Sequence, residues 1–185
     1  MNNNPTTVTA RDDYLYSLAL QACIYCWPLF EMQRMRAATS ARKVPGQGFA
    51  GAGPESTERW CNLFTLEREL LTAGRSRVVM PNNDTLYVNA WLDLSAGPLV
   101  LSLPDTGSRY YVLGMLDFYT NPFASVGTRT TGNGAGSVLV SGPDWNGDVP
   151  AQHLASGRHL RSATNWVWII GRVLVDGPPD VPTVN

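Results

Sequence analysis

The sequence predicts an α+β fold, in which N-terminal helices pack on a mostly antiparallel β-sheet with meander and hairpin connections. Apolar residues recur at helical spacing in the first part of the chain, whereas two-residue alternation between short turns dominates the rest. These patterns predict a disordered N-terminal tail over residues 1–10 and a single α+β domain over residues 11–185. Within that domain, helices are expected over about 10–74 and β-structure over about 77–176.

The first predicted helix begins after Thr9, where Asp12 completes a capping-box-like start. Apolar residues then occur on nearly all sides of the segment, which predicts a largely buried helix with Cys23 and Cys26 reduced and buried. Pro28 cannot donate a main-chain hydrogen bond, so a kink or break is expected there.

A second helix is expected to start at Ser56 or Thr57 and to end at Gly74, a natural C-terminal cap. The preceding segment 46–53 is rich in glycine and contains the G-x-G-x-x-G spacing of dinucleotide sites. That spacing indicates a nucleotide site only between a strand and a helix, whereas here it follows a helix and precedes Pro54. We therefore interpret the segment as a connection.

Strand signals are densest in the middle of the chain, between two polar turns. Residues 86–94 alternate between two faces, one of which carries Tyr87 and Trp91. Residues 99–103 and 109–117 follow after short turns, which favours a three-stranded antiparallel meander.

Beyond the meander, Asn133-Gly134 predicts the tip of a type I′ hairpin, with residues 138–140 in the returning strand. Two glycines in residues 127–134 have the spacing of a phosphate loop, but the lysine that such a loop needs is missing, so phosphate binding is not expected there. Residues 165–175 form the last predicted strand.

Composition and charge argue against several classes of partner. The 14 basic and 15 acidic side chains nearly balance and form no block, so neither nucleic acid nor membrane is expected as a partner. No run of about 18 apolar residues occurs. The start of the chain also lacks the pattern of a signal peptide, which predicts a cytoplasmic location unless a leader has been removed.

Metal, cofactor and serine-hydrolase chemistry have little support among the side chains. The two histidines, His153 and His159, lie outside any metal-binding motif, and G-x-S-x-G is absent, so neither a metal nor a cofactor is expected. Cys23 and Cys26 have the C-x-x-C spacing of redox and zinc sites, and this use stays open beside that of structural thiols.

Several short motifs follow one another along the chain in one order. They include Pro81-Asn82-Asn83-Asp84-Thr85-Leu86-Tyr87, Trp91-Leu92-Asp93-Leu94, Arg109-Tyr110-Tyr111, Asp117-Phe118-Tyr119-Thr120-Asn121, Gly127-Thr128-Arg129-Thr130-Thr131-Gly132, Gly142-Pro143-Asp144-Trp145 and Gly171-Arg172. From about Tyr14 onward the chain thus resembles a bacterial family called domain of unknown function 1254. The resemblance implies an α+β domain and no particular reaction. It also implies that relatives are often exported and that many carry a C-terminal β-rich companion, domain of unknown function 1214.

Three functions remain open. In the first, the domain binds, with or without turnover, a small polar or sugar-like ligand at a cluster of amide, carboxylate, guanidinium and aromatic side chains. The ligand-binding candidates are Asn82, Asn83, Tyr87, Trp91, Arg109, Tyr111 and Arg129, and the catalytic candidates are Asp84 and Asp117. They would converge if the meander strands are neighbours, since residues separated by even numbers share a face.

In the second, the domain is a non-catalytic interaction or structural module that packs on the companion domain or associates with a copy of itself. In the third, it is a redox protein that uses Cys23 and Cys26. The sequence alone leaves open whether the protein is an enzyme.

Overall fold

The computed structural model describes residues 9–39, 61–72, 81–154 and 157–184. Within them, one long helix precedes eight strands, which confirms the predicted α+β class with mostly antiparallel pairing. The elements are α1 (Ala10–Thr39), β1 (Thr65–Leu66), β2 (Thr85–Asp93), β3 (Leu99–Leu103), β4 (Tyr111–Leu116), β5 (Pro122–Gly127), β6 (Gly136–Ser141), β7 (His159–Arg161) and β8 (Trp166–Leu174), with short 3-10 helices at Ala151–His153 and Pro178–Thr183.

The strands form two sheets. A five-stranded sheet has the order β1-β2-β8-β4-β5, and all of its neighbours are antiparallel. A three-stranded sheet has the order β3-β6-β7, in which β6 and β7 are parallel. One cluster of buried apolar side chains draws on strands of both sheets, so the core lies between the two sheets.

The predicted meander is wrong, because β2, β3 and β4 are not neighbours. Strand β8 lies between β2 and β4, and β3 belongs to the three-stranded sheet. The physical reason is that β8 is apolar on both faces, with Val167 and Ile169 on one side and Trp168 and Ile170 on the other, which suits a central strand. Short connections therefore did not indicate which strands pair.

The hairpin predicted at Asn133-Gly134 is also absent, since β5 and β6 lie in different sheets. The side chain of Asn133 instead donates hydrogen bonds to the carbonyl oxygens of Gly107 and Arg109, at 2.8 and 3.1 Å. Two strands predicted after this turn are confirmed, because β6 contains residues 138–140 and β8 nearly coincides with residues 165–175.

The predicted second helix does not occur in residues 61–72, which contain strand β1. Thr65 and Leu66 pair with Asn89 and Val88 of β2, and the side-chain oxygen of Asn62 accepts a hydrogen bond from the amide of Asp93. An open strand edge offers main-chain partners that outweigh a weak helical pattern. Residues 40–60, with the glycine-rich segment and the expected helix start, lie outside the described residues, as do residues 73–80 with Gly74.

Helix α1 begins as predicted, since the amide of Asp12 donates to the Thr9 hydroxyl at 3.2 Å and the hydroxyl donates to the Asp12 carboxylate at 2.6 Å. It runs unbroken through Pro28, so the break expected there does not occur. The carbonyl that loses its partner belongs to Ile24, an exposed residue, and exposed carbonyls can bind water instead.

The expectation that α1 is largely buried is wrong. Met32 is its one buried residue, and contacts to the sheet come from its second half. Trp91 donates from Nε1 to the Thr39 hydroxyl at 2.9 Å, and the Arg36 guanidinium lies 4.0 Å from the ring of Trp166. Most of the helix thus extends beyond the surface that the sheet can cover. No helix in the described part of the chain combines the length and apolar character needed to cross a membrane.

Candidate functional site

The structure distributes the predicted site residues over both faces of the five-stranded sheet. Tyr87 pairs with Arg172, and Arg172 pairs with Val112, so these three lie on the face turned away from the core, called here the outer face. Tyr111 pairs with Val173 and lies on the inner face among the core residues. The convergence expected for Tyr87 and Tyr111 therefore does not occur.

Asn82 organises the turn before β2. Its side-chain oxygen accepts hydrogen bonds from the amide and hydroxyl of Thr85, at 3.1 and 2.6 Å, while its own amide and side-chain nitrogen donate to the Tyr87 hydroxyl, both at 3.2 Å. Asn83 and Asp84 are exposed, and their side chains have no partner within residues 81–154 or elsewhere in the described chain. The turn is thus held by one amide side chain.

Asp117, the buried catalytic candidate, caps the turn between β4 and β5. Its Oδ1 accepts from the amides of Tyr119 and Asn121 at 2.8 and 2.9 Å, and its Oδ2 accepts from the Asn121 side chain at 3.0 Å. Asp side chains commonly close turns in this way. Both oxygens are therefore occupied by local structure.

Arg109 holds the C-terminal segment against the sheet. Its guanidinium makes two hydrogen bonds to Asp180, at 2.5 and 2.9 Å, and donates to the Leu174 carbonyl and the Thr183 hydroxyl. The bond from Arg109, followed by those from Thr183 and the Asp176 amide, holds the pKa of Asp180 well below its ordinary value. An open cleft of about 360 Å³ beside this pair is thus lined by an arginine that is already neutralised.

The remaining candidates have separate surroundings. Trp91 is buried and stacks on Trp168 with ring centroids 5.8 Å apart. The Tyr111 hydroxyl donates to the Gly132 carbonyl at 3.3 Å. Arg129 is exposed, with its guanidinium 5.5 Å from the ring of Tyr110.

The sequence did not predict two side-chain contacts. Arg172 lies over the ring of Tyr87 at 5.2 Å, and the signal that could have shown it was a cation within the otherwise apolar strand β8. Ser141 Oγ lies 2.9 Å from His159 Nε2, yet Ser141 is fully buried and therefore out of reach of a substrate.

His153 and the cysteines complete the set of chemically interesting groups. His153 is buried, and neither ring nitrogen has a hydrogen-bond partner among the described residues. Cys23 and Cys26 are exposed and Cys61 is half-buried, so the predicted burial of the first two is wrong. The described residues contain no group of three or more His, Cys, Asp or Glu side chains placed to hold a metal ion.

Helix α1 exposes many large apolar side chains, and together they are called here the α1 surface. It consists of nine large apolar side chains that are each 44–71% exposed. They are Tyr14, Leu15, Tyr16, Leu18, Leu20, Ile24, Tyr25, Trp27 and Phe30. At about 100° per residue these positions lie all around the helix axis.

Comparisons with known proteins agree with the fold and give no activity. The crystal structure of the VPA0106 protein from Vibrio parahaemolyticus is similar, with a TM-score of 0.65 and 26% sequence identity over 91% of this chain. The match covers 35% of that protein, so this chain spans about a third of its length. A search of curated proteins gives no match. The family model described as "Protein of unknown function (DUF1254)" matches residues 61–185, and the chain therefore belongs to that family.

Proposed function

We propose that this domain is a non-catalytic interaction module and that α1 inserts into a β-rich companion domain. The observation that supports the proposal is the α1 surface, in which residues such as Tyr16 and Ile24 are 71% and 67% exposed. Single exposed apolar residues are ordinary, but a contiguous group on one element indicates a site of interaction.

The size of the α1 surface suits a stable interface. Large apolar and aromatic side chains carry about 150–250 Å² each, so nine of them at these exposures present on the order of 1,000 Å². The largest apolar patch on a typical monomer is about 300–600 Å², and a standard interface buries about 800 Å² per partner. Burying half of the α1 surface would contribute on the order of 10 kcal/mol before the costs of association.

The distribution of the side chains favours insertion over a flat contact. A helix that is apolar on all sides is typically enclosed by its surroundings, whereas two helices that pair side by side cover one stripe each. A companion domain can enclose α1 from several directions. Roughly two thirds of the similar Vibrio protein has no counterpart in this chain, which is ample polypeptide for such a domain.

The polar candidates support a non-catalytic role. Asn82, Asp117 and Arg109 direct their hydrogen bonds to turns and to the C-terminal segment. A catalytic group needs a free position near a reacting atom, and these three side chains are engaged in structure.

The test is a binding measurement between this chain and a β-rich companion domain of the family, produced as a separate chain. Ile24→Glu places a charge on the α1 surface, and we expect it to weaken the complex at least about tenfold, because a buried unpaired carboxylate is costly. Leu154→Glu is the matched control, since Leu154 is also 67% exposed but lies outside α1. Calorimetry measures the two affinities.

Two results would overturn the proposal. One is equal affinity for the companion in the parent and Ile24→Glu. The other is a stable dimer of this chain alone that Ile24→Glu dissociates, because the occupant of the α1 surface would then be a second copy. Sedimentation velocity distinguishes that dimer from a monomer.

A further inference from the structure

We propose that the outer face of the five-stranded sheet binds a small organic carboxylate, anchored by the guanidinium of Arg172. Tyr87 and Asn89 lie beside Arg172 on the same face and supply further hydrogen-bond donors. The inference rests on other residues than the docking of α1, because none of these three belongs to the α1 surface.

Strand register brings the three side chains together. Tyr87 is the direct partner of Arg172 in the β2–β8 ladder, and Asn89, two residues further, is the partner of Ile170. Direct cross-strand partners on one face are about 5 Å apart and diagonal ones about 7–8 Å. Arg172, Tyr87 and Asn89 are therefore within reach of one small molecule.

No neighbouring group among the described residues accepts a hydrogen bond from Arg172. It is half-buried, its guanidinium lies 5.2 Å from the Tyr87 ring, and no carboxylate or other acceptor bonds to it anywhere in the described chain. Arg109 and Arg34 show the usual alternative, since each is paired with a carboxylate. The guanidinium of a half-buried arginine, whose five N–H groups have no acceptor among the described residues, is a favourable place for an anion.

The side-chain donors of Tyr87 and Asn89 also lack an acceptor among the described residues. The Tyr87 hydroxyl accepts two hydrogen bonds from Asn82, which fixes its position, while its own proton has no acceptor among the described residues. The half-buried Asn89 side chain has no hydrogen-bond partner in the same part of the chain. Glu67, whose amide bonds to the Tyr87 carbonyl, lies two strands from β8, so its main chain is roughly 10 Å from that of Arg172.

An apolar floor lies next to these donors. Ile170 is flanked in the sheet by Asn89 on one side and Gly114 on the other, and Gly114 has no side chain to fill its position on the outer face. Val112 is the partner of Arg172 on the β4 side. One cation, two neutral donors and an apolar floor match a singly charged carboxylate with an organic body better than a doubly charged phosphate.

The main experiment follows the side-chain Nε–H signal of Arg172 by NMR while benzoate is added to the 185-residue chain. We expect benzoate to shift this signal in a saturable manner. Benzamide, its neutral counterpart, should leave the signal unchanged, and phosphate at equal ionic strength should bind at least about tenfold more weakly. No shift with benzoate up to about 50 mM, or equal binding of phosphate, would overturn the proposal.

Substitutions assign the contacts. Arg172→Lys keeps the charge but loses the two-pronged geometry, so we expect benzoate affinity to fall about tenfold or more. Tyr87→Phe should weaken it about three- to tenfold. Arg129→Gln is the matched control, because Arg129 also lies over a tyrosine ring, and it should leave affinity unchanged. Equal losses in Arg129→Gln and Arg172→Lys would refute the site.

Discussion

Single side chains in this domain show why a polar residue at a turn need not be functional. Asp84 and Asp117 look alike in the sequence, since both lie in polar clusters that flank strands. In the structure Asp84 is exposed with a free carboxylate in the described region, whereas Asp117 is 5% exposed and accepts three hydrogen bonds. Burial and partners, which the sequence does not give, distinguish them.

This difference gives a direct test at one residue. We expect Asp117→Asn to lower the free energy of unfolding by about 1–3 kcal/mol, because charge-assisted hydrogen bonds are lost at a buried position. Asp84→Asn is the control and should change it by less than about 0.5 kcal/mol. Urea denaturation measures both, and equal stability of the two variants would contradict the assigned cap.

The pair of Arg109 and Asp180 predicts a pH dependence. The pKa of Asp180 lies below its ordinary value of 3.8, chiefly because of the hydrogen bond from Arg109. A carboxyl whose pKa is lowered by folding stabilises the protein above its unfolded pKa, and that stabilisation is lost as pH falls through the folded pKa. We therefore expect Asp180→Asn to be less stable than the parent at pH 7, with the gap shrinking below about pH 4.

Denaturation at a series of pH values measures this gap. Asp148→Asn serves as the control, since Asp148 is exposed and makes no ion pair within the described residues. A gap between the parent and Asp180→Asn that stays constant down to pH 2 would mean that ionisation of Asp180 is not what stabilises the C-terminal segment.

At the scale of elements, local patterns predicted what each segment becomes more reliably than where it lies. The Thr9 cap, the alternation in β2 and the apolar run of β8 were all recognised, because each depends on residues close in sequence. The predicted second helix does not form in residues 61–72, because the free edge of β2 offers main-chain hydrogen bonds to residues 65–66. A pattern of that length cannot show whether such an edge is available.

The exposure of α1 predicts thiol reactivity. Cys23 and Cys26 are exposed, so we expect both to react with a thiol reagent in the folded chain at rates close to those in denaturant, and more slowly once a companion domain is bound. Cys61 is half-buried and should react more slowly in either state. The double substitution of Cys23 and Cys26 to Ser isolates Cys61, and fast labelling that persists in that variant would disagree with the structure.

At the scale of the whole molecule, the order of strands decided which candidate residues meet. Tyr87 faces Arg172 because β8 lies between β2 and β4, and this pairing joins distant parts of the chain. Alternation does place Tyr87, Asn89 and Trp91 on one face, so half of the outer face could be predicted. The other half could not, since a pattern within one strand carries no information about its partner or register.

Close packing at the centre of this sheet predicts a strong effect of one methyl group. A Cβ on Gly171 would lie 2.5 Å from Leu113 Cδ2 and 2.9 Å from the Val112 carbonyl oxygen. We expect Gly171→Ala to lower the free energy of unfolding by about 1–3 kcal/mol or more, because the neighbours include main chain that cannot move away. Gly134→Ala is the control, because a Cβ on Gly134 would meet no atom within 4 Å. Thermal denaturation compares them, and equal melting temperatures would argue against β8 as the central strand.

The position of β8 also has a consequence for how the protein is made. A ribosome releases β2 and β4 well before β8, yet β8 is the strand that joins them. Until residues 166–174 leave the exit tunnel, β5 is the native neighbour available to β4 and β1 the one available to β2, so one edge of each pair stays open. Nascent chains in that state are prone to aggregate, which makes this interval the one in which a chaperone would be needed most.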